Sequence, residues 1–153
     1  MQLHEQSAIS GNYRIRAVTR FTVLSVSPAP QDHLMLRHVL DCTRWRVLAV
    51  ATRRGALERL RTHAVSVIVC ESVLEDGTWR DLLEHKNHAC ADGTPLIVTS
   101  RLADEYLWSE VLNLGGYDVL AKPFSDREVR HVLQTVALRQ AQIHPRVCAA
   151  GAA

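Results

Sequence analysis

Glu71, Thr99 and Lys122 are the residues of this 153-residue chain whose types and settings could do chemistry together. Glu71 directly follows Val-Ile-Val-Cys, so an acid ends a run that reads as buried strand. Thr99 closes Pro-Leu-Ile-Val-Thr, and Lys122 stands before Pro-Phe just after another short apolar run. A carboxylate, a hydroxyl and an ammonium at neighbouring strand ends can hold an ion pair in fixed geometry. Other chemistries fare worse. Ser27-Pro28-Ala29-Pro30 lacks glycine, and two of its four residues have no amide donor, so it cannot cradle a phosphate as a nucleotide or flavin enzyme requires. No Ser-His-Asp or Cys-His order suggests a nucleophile, and an enzyme is not expected. His85, His88 and Cys90 are close in sequence, but no second pair of ligands follows, which favours a surface cluster over a metal site.

The elements that must position the three residues are five short runs rich in Val, Ile and Leu: Phe21 to Val26, Trp45 to Val50, Val65 to Cys70, Pro95 to Thr99 and Tyr117 to Leu120. Segments of helical spacing lie between them. Pro30 suits a first helical turn, while Thr78 with Asp81 and Ser125 with Glu128 have capping-box spacing. Asp104 to Leu114 predicts a helix with Leu107, Trp108, Val111, Leu112 and Leu114 on one apolar face, Tyr106 on the other, and a stop at Gly115-Gly116. Alternating strands and helices with right-handed crossovers close as a doubly wound five-stranded parallel α/β sheet, a three-layer sandwich. Ligands of such sheets bind beyond the carboxyl ends of the strands. Ser27-Pro28, Glu71, Thr99-Ser100 and Lys122 should therefore converge there.

Composition narrows the class further. An apolar fraction of 47% and a charged fraction of 22% are ordinary globular values. No window approaches 18 uninterrupted apolar residues, and residues 1 to 11 lack the basic start and apolar core of a signal peptide, so a cytoplasmic protein without membrane association is expected. The net charge of +2 divides unevenly, with +6 on residues 1 to 63 and −4 on residues 64 to 153. Arg53, Arg54, Arg59 and Arg61 read as a solvated helix face; no recognition helix supports nucleic-acid binding. Cys42, Cys70, Cys90 and Cys148 form no C-x-x-C pair and are expected to be free thiols. The expected organisation is a tail over 1–19, one domain over 20–141 and an Ala-rich tail over 142–153, too short for an output module.

Over roughly Arg20 to Arg139 the chain resembles the receiver domain of bacterial two-component response regulators, as a degenerate, stand-alone member of the chemotaxis type. The resemblance is carried by Val-Ile-Val-Cys-Glu-Ser-Val-Leu-Glu-Asp-Gly-Thr-Trp-Arg-Asp-Leu-Leu (67 to 83), Pro-Leu-Ile-Val-Thr-Ser (95 to 100) and Gly-Gly-Tyr-Asp-Val-Leu-Ala-Lys-Pro-Phe (115 to 124). It implies the flavodoxin-like receiver fold and a pocket in which an aspartate takes a phosphoryl group, aided by Mg²⁺ on an acidic pair, a hydroxyl and a lysine. By position the acidic pair falls on Ser27 and Pro28, the phosphoacceptor on Glu71, the hydroxyl on Thr99, the lysine on Lys122 and the aromatic switch residue on Val119.

Serine is a poor Mg²⁺ ligand and proline offers no side-chain oxygen, so Mg²⁺ binding should be weak or absent and no other cofactor is expected. Glu71 reaches about 1.5 Å further than Asp, away from in-line geometry. Val119 has no ring or hydroxyl to swing. The resemblance therefore implies a pseudo-receiver that works by association with a sensor kinase, a downstream target or itself as a homodimer. The face it would use includes Tyr106, Val119 and the helix from Asp126 onward. The runner-up is a receiver that accepts phosphate weakly at Glu71 or Asp76.

Overall fold

The computed structural model describes residues 20–86, 88 and 93–143. Its elements are β1 (Phe21–Val26), α1 (Pro30–Val39), β2 (Trp45–Val50), α2 (Arg53–Thr62), β3 (Val67–Glu71), β4 (Val73–Leu74), β5 (Gly77–Thr78), α3 (Trp79–Lys86), β6 (Leu96–Ser100), α4 (Glu105–Leu114), β7 (Asp118–Ala121) and α5 (Asp126–Ile143). Five of the seven strands form one parallel sheet in the order β2-β1-β3-β6-β7, as the alternation of apolar runs and helices predicts. The order reverses between β1 and β3, which places the crevice of the sheet there. Strand β3 begins at Val67 rather than Val65, and α5 continues to Ile143, two residues past the expected domain boundary.

The central strands read as continuous apolar runs because both faces are covered. One core joins Leu24, Ile68 and Leu96 to Ala56, Leu60, Trp79, Leu82 and Val111 of α2, α3 and α4. The other joins Val23, Val67, Ile97 and Leu120 to Leu36 and Val39 of α1 and Val129, Leu133 and Val136 of α5. Helix starts follow side-chain chemistry. Pro30 opens α1, Asp81 Oδ2 accepts from the Thr78 amide at 2.8 Å, and Ser125 Oγ accepts from the Glu128 amide at 3.4 Å. Gly115, at φ +99°, closes α4 in the left-handed conformation that only glycine adopts without strain.

The apolar stripe of α4 departs from expectation. Val111 is buried and Leu107 partly so, but Trp108, Leu112 and Leu114 are 50%, 38% and 53% exposed, beside a Tyr106 that is 77% exposed. The reason is topological: α4 packs on β7, the last strand of the sheet, so part of its stripe overhangs the edge with no further strand to cover it.

The β4–β5 hairpin is a small antiparallel insert that strand periodicity did not announce. It performs a capping task. Asp76, in its turn, accepts from the Arg53 amide at 2.8 Å through Oδ1 and from the Arg54 amide at 3.0 Å through Oδ2. Thr52 takes the next two, so all four amides of the first α2 turn are satisfied. Burial alone would raise the Asp76 carboxyl, but the Arg54 and Arg53 amides outweigh it and hold its pKa below the ordinary 3.8. A depressed carboxyl stabilises the fold above its ordinary value and loses that contribution as pH falls through the depressed one. Asp76→Ala is expected to cost about 1 kcal/mol in urea unfolding near neutral pH. The gap to the parent protein should close in acid below pH 3.8.

Candidate functional site

The carboxyl ends of β1, β3, β6 and β7 converge on one ammonium group. Lys122 follows β7, and its Nζ makes an ion pair with Oε2 of Glu71, the last residue of β3. The same Nζ donates to Asp32 Oδ2 at 2.8 Å. Thr99 Oγ1 donates to Glu71 Oε2 at 3.4 Å, and Ser72 Oγ donates to Glu71 Oε1 at 3.1 Å. Glu71, Thr99 and Lys122 are thus brought together as their strand-end positions require.

Asp32 is the member that sequence reasoning missed. Its carboxylate lies in the first turn of α1, and that turn sits over the carboxyl end of β1. Ser27 holds it there: the hydroxyl donates to Asp32 Oδ2 at 2.6 Å and accepts from the Ala29 amide at 3.1 Å. Pro28, expected in the pocket beside Ser27, is exposed and has no side-chain polar atom to give the group. Val119 is buried in the core under α4. Asp76, the alternative acceptor, lies in the β4–β5 turn, where its carboxylate accepts from the Arg53 and Arg54 amides.

A second layer lies beneath Ser27. His33 Nε2 meets the Ser27 carbonyl at 3.0 Å and its Nδ1 meets Ser25 Oγ at 2.7 Å. A carbonyl can only accept, so Nε2 carries the proton; in the neutral ring Nδ1 accepts from the Ser25 hydroxyl. Burial pushes the His33 pKa below 6.5 despite the Ser27 carbonyl and the Asp32 charge, which favours that neutral form. The imidazole thereby fixes the backbone from which Ser27 reaches Asp32.

The electrostatics are set by partial burial. The side chains of Lys122, Asp32 and Glu71 are 12%, 14% and 15% exposed, so their charges are poorly screened. Burial by itself would lower the Lys122 pKa, but the hydrogen bonds and charges of Asp32 and Glu71 overcome it, and the ammonium pKa lies above its ordinary 10.5.

Mg²⁺ in this position would need several carboxylate or water oxygens in near-octahedral array. Ser27 has its hydroxyl committed, Pro28 has no side-chain oxygen to give, and one oxygen of each acid already turns on Lys122 Nζ. The cation at the centre of the site is the protein's own ammonium. Among the described residues no group of three His, Cys, Asp or Glu side chains is arranged to hold a metal. His85 Nδ1 donates to the Asp81 carbonyl at 2.6 Å and His88 is exposed, while Cys90 lies outside the described residues.

Comparison with known proteins agrees with the fold. No family model matches the chain. It is 26% identical over 118 residues to the transcriptional regulatory protein CitB of Klebsiella pneumoniae, an alignment that covers 76% of this chain and 50% of CitB. The chain therefore spans about half the length of that curated relative. Among solved structures, the receiver domain of the Francisella response regulator 1452 superposes with a TM-score of 0.71 at 21% identity, covering 79% of this chain and 99% of that one. The signal receiver domain of an HD domain-containing protein from Pseudomonas fluorescens gives 0.73 at 22% identity, with 84% and 94% covered. The chemotaxis protein CheY4 of Vibrio cholerae gives 0.70 at 21% identity, with 76% and 98% covered. The chain has the fold of a response-regulator receiver domain. Among the described residues no helix is long and apolar enough to cross a membrane.

Proposed function

We propose that this chain is a receiver-type module of two-component signalling that acts by binding other proteins, without phosphorylation of its pocket. One observation carries the reading: Lys122 pairs with Glu71 and Asp32 at once, which gives the pocket a permanent acid–ammonium contact. Phosphoryl transfer depends on positioning and on a cation that neutralises the incoming charge. Here the ammonium is already shared by two carboxylates, and the acid in the acceptor position is a glutamate that also accepts from Thr99 and Ser72. An incoming phosphoryl group would have to displace those contacts and approach two negative charges. Buried pairs of this kind hold geometry more than they add stability, so the module presents one fixed surface to its partners. Its place is the cytoplasm, and its partners are a sensor kinase, a downstream target or a second copy.

The test is exposure to acetyl phosphate and Mg²⁺ followed by intact-mass measurement. The expected spectrum is unchanged. A stable gain of about 80 Da, one phosphoryl group, localised to Glu71 would overturn the proposal.

A further inference from the structure

Resting on the proposal that this chain works by association, we infer that its copies associate head to tail, the acidic groove beside β7 of one copy receiving the arginine-bearing β2 edge of the next. The groove lies between α4, β7 and the start of α5 and measures roughly 240 Å³. Trp108, Val119 and Ala121 give it apolar walls, and its charged lining is Asp104, Glu105 and Glu128, with no Lys, Arg or His. Asp104 caps α4, while Glu105 and Glu128 enter no ion pair among the described residues.

The opposite edge of the sheet is its chemical complement. Arg20, Arg37, Arg44 and Arg46 are all exposed around the start of β2, beside the half-buried Trp45 and Val47. None of the four arginines has an ion-pair partner among the described residues. The acid there, Asp41, spends Oδ1 on the Cys42 amide.

Geometry keeps the two surfaces from neutralising each other within one molecule. Arg46 is in register with Thr22 near the start of β1, whereas Ala121 is in register with Ser100 at the end of β6. In a parallel sheet these are diagonally opposite corners. Four interstrand spacings of about 4.8 Å separate the edges by about 19 Å, beyond the screening length of about 8 Å at physiological salt. The two surfaces cannot pair within one molecule, and a second copy carries the matching surface. Because the two surfaces differ, the contact is heterologous and repeats from copy to copy instead of closing as a symmetric dimer.

Sedimentation of the full chain at rising concentration, up to about 1 mM, tests this at low and high salt. The expected result at low salt is an average mass that climbs past the dimer, and at high salt a return toward monomer. Arg44→Ser/Arg46→Ser and Glu105→Gln/Glu128→Gln, each shown folded by circular dichroism, should each associate at least about tenfold more weakly. Mixed together, they retain one intact groove and one intact edge, so the mixture should recover association but stop at dimer. A protein monomeric at every concentration would overturn the inference, as would a dimer indifferent to salt and to both variants. Either result with no phosphoryl adduct in the acetyl phosphate test would leave the proposed function standing with a different partner.

Discussion

Lys122→Met should destabilise the protein by about 3 kcal/mol near neutral pH, measured by urea unfolding. Removing one member of a largely buried ion pair strands the other, and here it strands two, because Asp32 and Glu71 would face each other without their shared cation. The figure sits at the lower end of the range for buried pairs, since all three side chains keep some contact with water. A triple replacement, Lys122→Met with Asp32→Asn and Glu71→Gln, should recover most of the loss by removing the stranded charges. The pH dependence gives an independent check. A lysine whose pKa is raised in the folded state contributes fully below its ordinary 10.5 and loses that contribution as pH climbs through the raised value. The parent protein should therefore lose stability in that alkaline window, and Lys122→Met should show a correspondingly smaller decline. An unchanged midpoint for Lys122→Met would mean that the contacts of Lys122 hold nothing in place.

The second large effect is expected at Ile68. It lies in register between Leu24 of β1 and Leu96 of β6, and the three are 0%, 0% and 1% exposed. Ile68→Ala would open a cavity in the row that joins the three central strands, at a cost of about 3 to 4 kcal/mol. Domains of this size hold about 5 to 15 kcal/mol in total, so this single change would consume a large part of the margin. The urea midpoint should fall with little change in slope, because the folded state remains the same compact sheet. A loss under about 1 kcal/mol would show that the row collapses around the gap.

The fold was legible because its signals are local. The apolar runs Phe21 to Val26 and Trp45 to Val50 coincide with their strands, the other three end one residue short, and the spacing of Thr78 with Asp81 marks a helix start. Glu71, Thr99 and Lys122 could be placed at one end of the sheet because parallel strands all deliver their carboxyl ends to the same side. Asp32 was not legible in the same way. An acid in a first helical turn is commonplace, since the helix dipole favours it, and only the passage of α1 over β1 turns it toward Lys122. Its signal was the shortness of the Ser27 to Ala29 connection, which leaves the first turn of α1 nowhere to go but over the strand ends. The exposure of Trp108 escaped for the converse reason: helical periodicity tells which face is apolar, not whether the sheet extends far enough to cover it.

The amide cap supplied by Asp76 has a consequence for how the two halves of the chain fold. The start of α2 cannot complete its own first turn until a turn 22 and 23 residues downstream has arrived to supply a carboxylate. An amino-terminal fragment ending before that turn would carry a frayed second helix, whatever the quality of its first two strands. Limited proteolysis of such a fragment should cut near Arg53 and Arg54 where the intact protein resists.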